Sequence, residues 1–202
     1  MQAGAPDVAS VLLAGGRATR MGGRNKAFAA VGGESIAART VRLLQRIFPQ
    51  VIIATNAPDE FDRFGTELVA DVFPGRGPLA GIHAAMRHAR HPHLFVVACD
   101  MPGLDGDVIR FLLGRIGAAD AVVPRWDGDV EPLHAVYAVR ILPVVERSLA
   151  HGESALRQLL PLLRVDYVSE VELRDVSAAA ASFTNVNTPE ELAAVGGRFD
   201  DA

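Results

Sequence analysis

Leu12-Leu13-Ala14-Gly15-Gly16-Arg17-Ala18-Thr19-Arg20-Met21-Gly22-Gly23-Arg24-Asn25-Lys26 is the stretch around which this chain is organised. The apolar run from Val8 to Ala14 predicts a buried strand that stops at a glycine pair. A loop with two glycine pairs, three arginines and one lysine follows. Glycines let a backbone turn tightly and bring its N–H groups close to an anion. Arginines supply planar forks for phosphate oxygens, and lysine supplies a compact point charge. A strand ending in such a loop is how many α/β proteins hold the phosphates of a nucleotide.

Composition isolates the lysine. The chain has 19 arginines and one lysine, Lys26. A chain that takes its positive charge from arginine and keeps one lysine points to a position where a planar fork does not fit against a reacting phosphate. The alternative is a plain surface lysine. The loop is not a Walker A loop, which needs glycine before the lysine and Ser or Thr after it, because Asn25 and Ala27 flank Lys26. It also lacks G-x-G-x-x-G.

The remaining composition sets limits. A length of 202 residues suits one domain, with an ordered core expected over about 7–195 and loose ends on either side. Apolar residues make up 50% and charged residues 22% of the chain, as in ordinary globular proteins. A net charge of −4 advertises no basic face for nucleic acid or an anionic membrane. A single cysteine, Cys99, cannot form an intramolecular disulfide and fits a reducing compartment. No run is long enough to span a membrane and no secretory signal is evident, so the expectation is a cytoplasmic monomer.

Beyond the loop, strands are predicted at Gln50 to Thr55, Glu67 to Ala70, His93 to Ala98 and Ala121 to Pro124. Helices are predicted at Glu34 to Ile47, Gly81 to Arg90 and Asp107 to Ile116. The second half predicts a strand at Glu131 to Val139, which an antiparallel direction would suit. Helices at Ile141 to Leu149 and Ser154 to Leu160, and a strand at Leu163 to Val168, follow it. Thr188 is placed as the N-cap of a last helix with Pro189 at its first position. Apolar strands alternating with amphipathic helices give an α/β fold with a mostly parallel sheet covered on both faces. Ligands of such sheets lie beyond the carboxyl ends of the strands. Those ends are Gly15, Asn56, Asp71 and Asp100.

Each of these residues has a bland reading beside the functional one. Asp100, before Met101-Pro102-Gly103, reads as a Mg²⁺ ligand or as a turn aspartate; its alignment with the glycine loop favours the metal. Asn56 and Asp71 are ordinary turn residues alone, and become candidates for base or ribose contacts because they end adjacent strands. Gly75-Arg76-Gly77-Pro78-Leu79-Ala80-Gly81 has a spacing used by some nicotinamide-dinucleotide sites, but the four residues between Ala70 and Gly75 are too many for that tight turn. His88, His91 and His93 read as a solvated helix end rather than metal ligands. Glu131-Pro132-Leu133-His134 either positions a substrate or begins a strand. Asn185 and Asn187 share one face of an extended chain, turned into the site or capping the last helix.

Taken in order, the motifs resemble a known family. Leu-Ala-Gly-Gly-x₃-Arg-Met-Gly followed by Lys26 resembles the signature loop of nucleoside triphosphate transferases. Gly77-Pro78-Leu79-Ala80-Gly81-Ile82, Cys99-Asp100-Met101-Pro102, Glu131-Pro132-Leu133 and Phe183-Thr184-Asn185-Val186-Asn187-Thr188-Pro189-Glu190 are similar to the molybdenum cofactor guanylyltransferases. The resemblance spans about residues 8–194. It implies a Rossmann-like three-layer α/β/α sandwich that joins GMP from GTP to the molybdopterin form of the molybdenum cofactor and releases pyrophosphate. Leu13, Ala14, Gly15, Gly16, Lys26, Asn56, Asp71, Gly77 and Asp100 would hold the nucleotide, with Asp100 also on Mg²⁺. Asn185 and Asn187 would line the pterin side. Asn25 stands where the family commonly has Asp, and Ala98 where Pro commonly precedes the Cys-Asp pair.

The implied chemistry is attack by the terminal phosphate of the pterin on the α-phosphate of GTP, one anion approaching another. Catalysis is then positioning and neutralisation, with Lys26 offsetting charge on the α-phosphate and Arg20 on the departing pyrophosphate. No general base is required, because the phosphate nucleophile is already ionised at neutral pH. The enzyme is expected to make transient contact with molybdoenzyme maturation proteins. Competing readings are a cytidylyltransferase on the same cofactor, a sugar-phosphate guanylyltransferase, and a non-catalytic nucleotide- or cofactor-binding maturation protein.

Overall fold

The structure is a computed structural model that describes residues 7–15, 25–176 and 179–199. In chain order, β1 (Val8–Leu13), β2 (Ala30–Val31), β3 (Glu34–Ser35), α1 (Ile36–Ile47), β4 (Gln50–Ala54) and α2 (Pro58–Phe61) come first. Next are β5 (Glu67–Val69), α3 (Gly77–His88), β6 (His93–Ala98), α4 (Gly106–Leu113), β7 (Ala121–Trp126), β8 (Asp129–Val130) and β9 (His134–Ala138). Then follow α5 (Leu142–Ala150), α6 (Leu156–Leu159), β10 (Val165–Val168), α7 (Glu170–Arg174), α8 (Ala179–Ser182), α9 (Pro189–Ala194) and β11 (Gly197–Arg198).

The main sheet has the order β10-β7-β9-β6-β1-β4-β5, with β8 paired to β7 off that path. β9 is antiparallel to both neighbours, and the other neighbouring pairs along the order are parallel. Side chains alternate across the strands and divide the core in two. Val8 and Leu12 of β1 pack with α1 and α4 on one face, while Ala9, Val11 and Leu13 pack with α3, α5 and α6 on the other. This is the expected three-layer α/β/α arrangement. From β1 the chain steps outward to β4 and β5, then returns to β6 on the opposite flank of β1. The carboxyl ends of β1 and β6 therefore flank a topological switch point, where open α/β sheets bind ligands. No helix among the described residues is long and apolar enough to cross a membrane.

Several boundaries differ from the sequence reading. α3 begins at Gly77, not Gly81, because Pro78 in its first turn supplies a helical φ and needs no N–H there. β7 runs through Pro124 to Trp126, since Pro124 lies beyond the last β7–β9 ladder pair at Val122 and has no bond to lose on that side. α1 starts at Ile36, with the Ser35 hydroxyl capping it by accepting from the Ala38 N–H at 3.2 Å. α4 ends at Leu113, where Gly114 follows. Loose ends were expected beyond residue 195, yet β11 pairs with β2, which pairs with β3, in a separate three-stranded sheet. Two-residue strands are too short to register as periodicity. Gly197 earns its place there, because a Cβ would press on Leu192 and on Val31.

An ion-pair network ties β10 and α7 to the turn after α4. Arg115 donates to both carboxylate oxygens of Asp166, each at 3.0 Å, and to Glu172 at 2.6 Å. Glu172 also closes a capping box on Ser169. Hydrogen bonds from Ser169, then Arg115, hold the Glu172 carboxyl down to about 2 from its usual 4.5. A depressed carboxyl contributes stability above its unfolded pKa and loses it as pH falls through the folded one. Urea midpoints of the native chain should therefore fall more steeply between pH 4.5 and 2 than those of Glu172→Gln. Parallel curves would contradict this.

Candidate active site

β1 and β6 end in register, Leu13 beside Ala98, and the Cys99 N–H donates to the Leu13 carbonyl at 3.2 Å. Ala14 donates to the Ala54 carbonyl at 2.9 Å. Leu13 and Ala14 are thus buried and fixed, and Gly15 emerges exposed at the switch point. On the other flank Asp100 follows β6, and its carbonyl accepts from the Val186 N–H at 2.9 Å.

Lys26 opens a 3-10 turn, Lys26–Phe28, capped by Asn25. Its Nζ lies 2.5 Å from Asp100 Oδ2 and donates to Asn187 Oδ1 at 3.1 Å. The side chains are 28% (Lys26) and 17% (Asp100) exposed, so the pair is open to a ligand on one side. Asp100 Oδ1 is buried without a hydrogen-bond partner among the described residues. A carboxylate oxygen in that state fits a hard cation, and Mg²⁺ commonly takes one protein carboxylate and completes its shell with water and phosphate oxygens. Asp100 is the residue that would hold it. Among the described residues no cluster of three or more His, Cys, Asp or Glu side chains could bind a metal. Burial, reinforced by Asp100, pushes the Cys99 thiol up to about 12, which keeps it protonated and unreactive.

Asn56 and Asp71, beyond β4 and β5, form a reciprocal pair. Asn56 Nδ2 donates to Asp71 Oδ2 at 2.8 Å, and the Asp71 N–H donates to Asn56 Oδ1 at 3.1 Å. Gly81 connects this pair to β1. A Cβ on it would lie 3.1 Å from Leu13 Cδ2, 3.3 Å from Ala54 Cβ and 3.8 Å from Asp71 Oδ1, so glycine seats α3 closely against the strand ends. Gly77, the first residue of α3, has φ +57° and packs toward Ser154.

A cleft of about 340 Å³ opens on the other flank, lined by residues that include Trp126, Asp129, Glu131, Phe183 and Asn185. Trp126 and Phe183 stack with ring centroids 5.1 Å apart and planes at 21°. Burial raises the Glu131 carboxyl above its usual range, against the pull of Arg157 and with smaller upward effects from Asp129 and Asp100. The aromatic wall escaped the sequence reading, although Asp127-Gly128 carried a signal. Both residues have positive φ, 51° and 79°, and form the tight hairpin between β7 and β8 that an Asp-Gly pair favours.

Gly16 and Arg20 lie outside the described residues. His88 Nδ1 meets the Ala84 carbonyl at 2.9 Å and His91 meets Asp7 at 3.0 Å, both ordinary local contacts. The two asparagines divide their work: Asn185 lines the cleft, whereas Asn187 reaches Lys26.

Gly103, in the turn after Asp100, lies against the Ala181 backbone, where any Cβ would collide with the Ala181 carbonyl. Gly103→Ala should cost about 1–3 kcal/mol by chemical denaturation, the usual penalty for overpacking. A change below about 0.5 kcal/mol would show that the turn yields freely.

The fold is that of a layered α/β protein whose candidate site lies at a topological switch point. The chain belongs to the MobA-like NTP transferase domain family, whose match covers residues 10–168. A molybdenum cofactor guanylyltransferase from Desulfosudis oleivorans is 39% identical over 186 residues, 92% of each chain. A probable molybdenum cofactor guanylyltransferase from Pelotomaculum thermopropionicum is 39% identical over 182 residues, 90% of this chain and 88% of that one. The solved molybdopterin-guanine dinucleotide biosynthesis protein A from Archaeoglobus fulgidus superposes with a TM-score of 0.81 at 29% identity, covering 93% of this chain and 96% of that one.

Both departures from the family pattern have local reasons. Asn25 caps the Lys26 turn through Oδ1 and donates through Nδ2 to Glu60 at 2.8 Å, a contact that an aspartate would turn into repulsion. Ala98 donates its N–H to the Leu133 carbonyl at 3.0 Å, a bond that proline lacks.

Proposed function

We propose that this protein transfers GMP from GTP to the molybdopterin form of the molybdenum cofactor and releases pyrophosphate. The observation that carries the reading is the Lys26–Asp100 pair at the switch point, with one Asp100 oxygen unpartnered. It stands beside a strand that ends in glycine, between the Asn56–Asp71 side and the Trp126–Phe183 cleft. GTP lies over the ends of β1, β4 and β5, and the pterin occupies the cleft.

An oxygen of the terminal phosphate of the pterin forms a bond to the α-phosphorus of GTP. The bond from that phosphorus to the bridging oxygen breaks, and its electron pair leaves with pyrophosphate. The Ala14 N–H is taken by the Ala54 carbonyl, so backbone N–H groups from Gly15 onward hold the phosphates, and Lys26 offsets charge at the reacting phosphorus. Arg20 stabilises the departing pyrophosphate. Mg²⁺ held by Asp100 would neutralise phosphate charge. The residues around Asp100 take no proton, because the attacking phosphate is already ionised.

Pyrophosphate release from each of the four NTPs, with and without molybdenum-loaded molybdopterin and Mg²⁺, tests this reading. Release that requires GTP, the pterin and Mg²⁺ together supports it. Release with CTP instead transfers the base assignment to cytidine, and tight GTP binding without release makes the protein a carrier.

A further inference from the structure

We propose that Asn187 is a positioning residue that acts through Lys26, rather than a contact to the acceptor substrate; the catalytic consequence rests on the transfer reading above. A lysine head on four methylenes has many rotamers open to it and does not hold one place unaided. Its ammonium has three donors. One is directed at Asp100 Oδ2 at 2.5 Å and a second at Asn187 Oδ1 at 3.1 Å. The third is left for a phosphate oxygen. Two fixed acceptors thus aim the charge that a lone carboxylate would only attract.

Asn187 is itself well anchored. Its N–H donates to Glu191 Oε2 at 2.5 Å, inside the capping box that Thr188 and Glu191 build at the start of α9. Val186, fully buried, packs with Ala29, Ile36 and Leu192 in a small core separate from the two sheet faces. Ala29 is the residue that ends the Lys26 turn, so one core holds both partners of the Lys26–Asn187 contact. β11 pairs with β2 over the same region, and the Val186 N–H ties the segment to the Asp100 carbonyl. A neutral amide suits the role, because it accepts from Lys26 without adding a second negative charge beside Asp100.

Lys26 is the only lysine in the chain, so untagged protein labelled with ¹⁵N-lysine gives one side-chain ammonium signal. In metal-free protein that signal is expected to be sharp in the native chain, retained in Asn187→Asp, and broadened by solvent exchange in Asn187→Leu. In turnover, Asn187→Leu should lower kcat about tenfold with the acceptor KM unchanged, and should cost nothing further in a Lys26→Met background. An unchanged ammonium signal in Asn187→Leu overturns the proposal. So does a raised acceptor KM with kcat intact. If no NTP is turned over by the native chain, the transfer reading falls, and the ammonium signal still decides the role of Asn187.

Discussion

Lys26→Met is expected to lower kcat for GMP transfer by about a hundredfold to a thousandfold, the usual loss when one preorganised charge-stabilising group is removed. Methionine keeps the length and apolar stem, so the 3-10 turn at Lys26–Phe28 should persist; its cap runs through Asn25 and backbone atoms, not Nζ. Lys26→Arg should recover little. The ammonium fits between Asp100 Oδ2 and Asn187 Oδ1, and a planar fork needs a wider, flatter space. Steady-state pyrophosphate release with thermal unfolding as the fold control measures both variants. Turnover within threefold of the native chain in Lys26→Met would remove Lys26 from the chemistry.

Asp100→Asn is expected to produce a loss of about a thousandfold or more at low millimolar Mg²⁺, since it removes the carboxylate that, on the proposed reading, would hold the cation. The amide still accepts from Lys26, and the Asp100 carbonyl bond from Val186 is untouched. The fold should therefore survive and the defect should lie in metal use. Manganese binding followed by electron paramagnetic resonance in the presence of GTP should weaken in parallel. Native-like metal binding together with native-like turnover would place the cation elsewhere.

The layered α/β fold was legible because β1, β4 and β6 are continuous apolar runs buried on both faces and end in glycine or polar residues. The antiparallel direction of β9 was harder to read, since its five residues are all buried and show no alternation. β2, β3 and β11 could not be read from periodicity at two residues each. Their existence depends on a tertiary fit, the packing of Gly197 against Leu192 and Val31.

The site was legible where chemistry and position coincided. Lys26 stood out by composition and Asp100 by its place after a buried strand, and the two meet at the switch point. Asn185 and Asn187 were visible as a pair, but their spacing could not show that one lines the cleft and the other holds Lys26. Trp126 and Phe183 lie 57 positions apart in the sequence, and only the folding of β7 beside α8 stacks their rings. Glu131 takes its shifted carboxyl from burial, which a sequence does not display.

The most direct test of the central claim follows label from GTP during incubation with Mg²⁺ and molybdenum-loaded molybdopterin. With α-phosphate label, radioactivity should appear in a new pterin–GMP dinucleotide; with γ-phosphate label, it should appear only in pyrophosphate. Label from the γ-phosphate in the pterin product, or release of labelled orthophosphate without any dinucleotide, would contradict transfer of GMP by this protein.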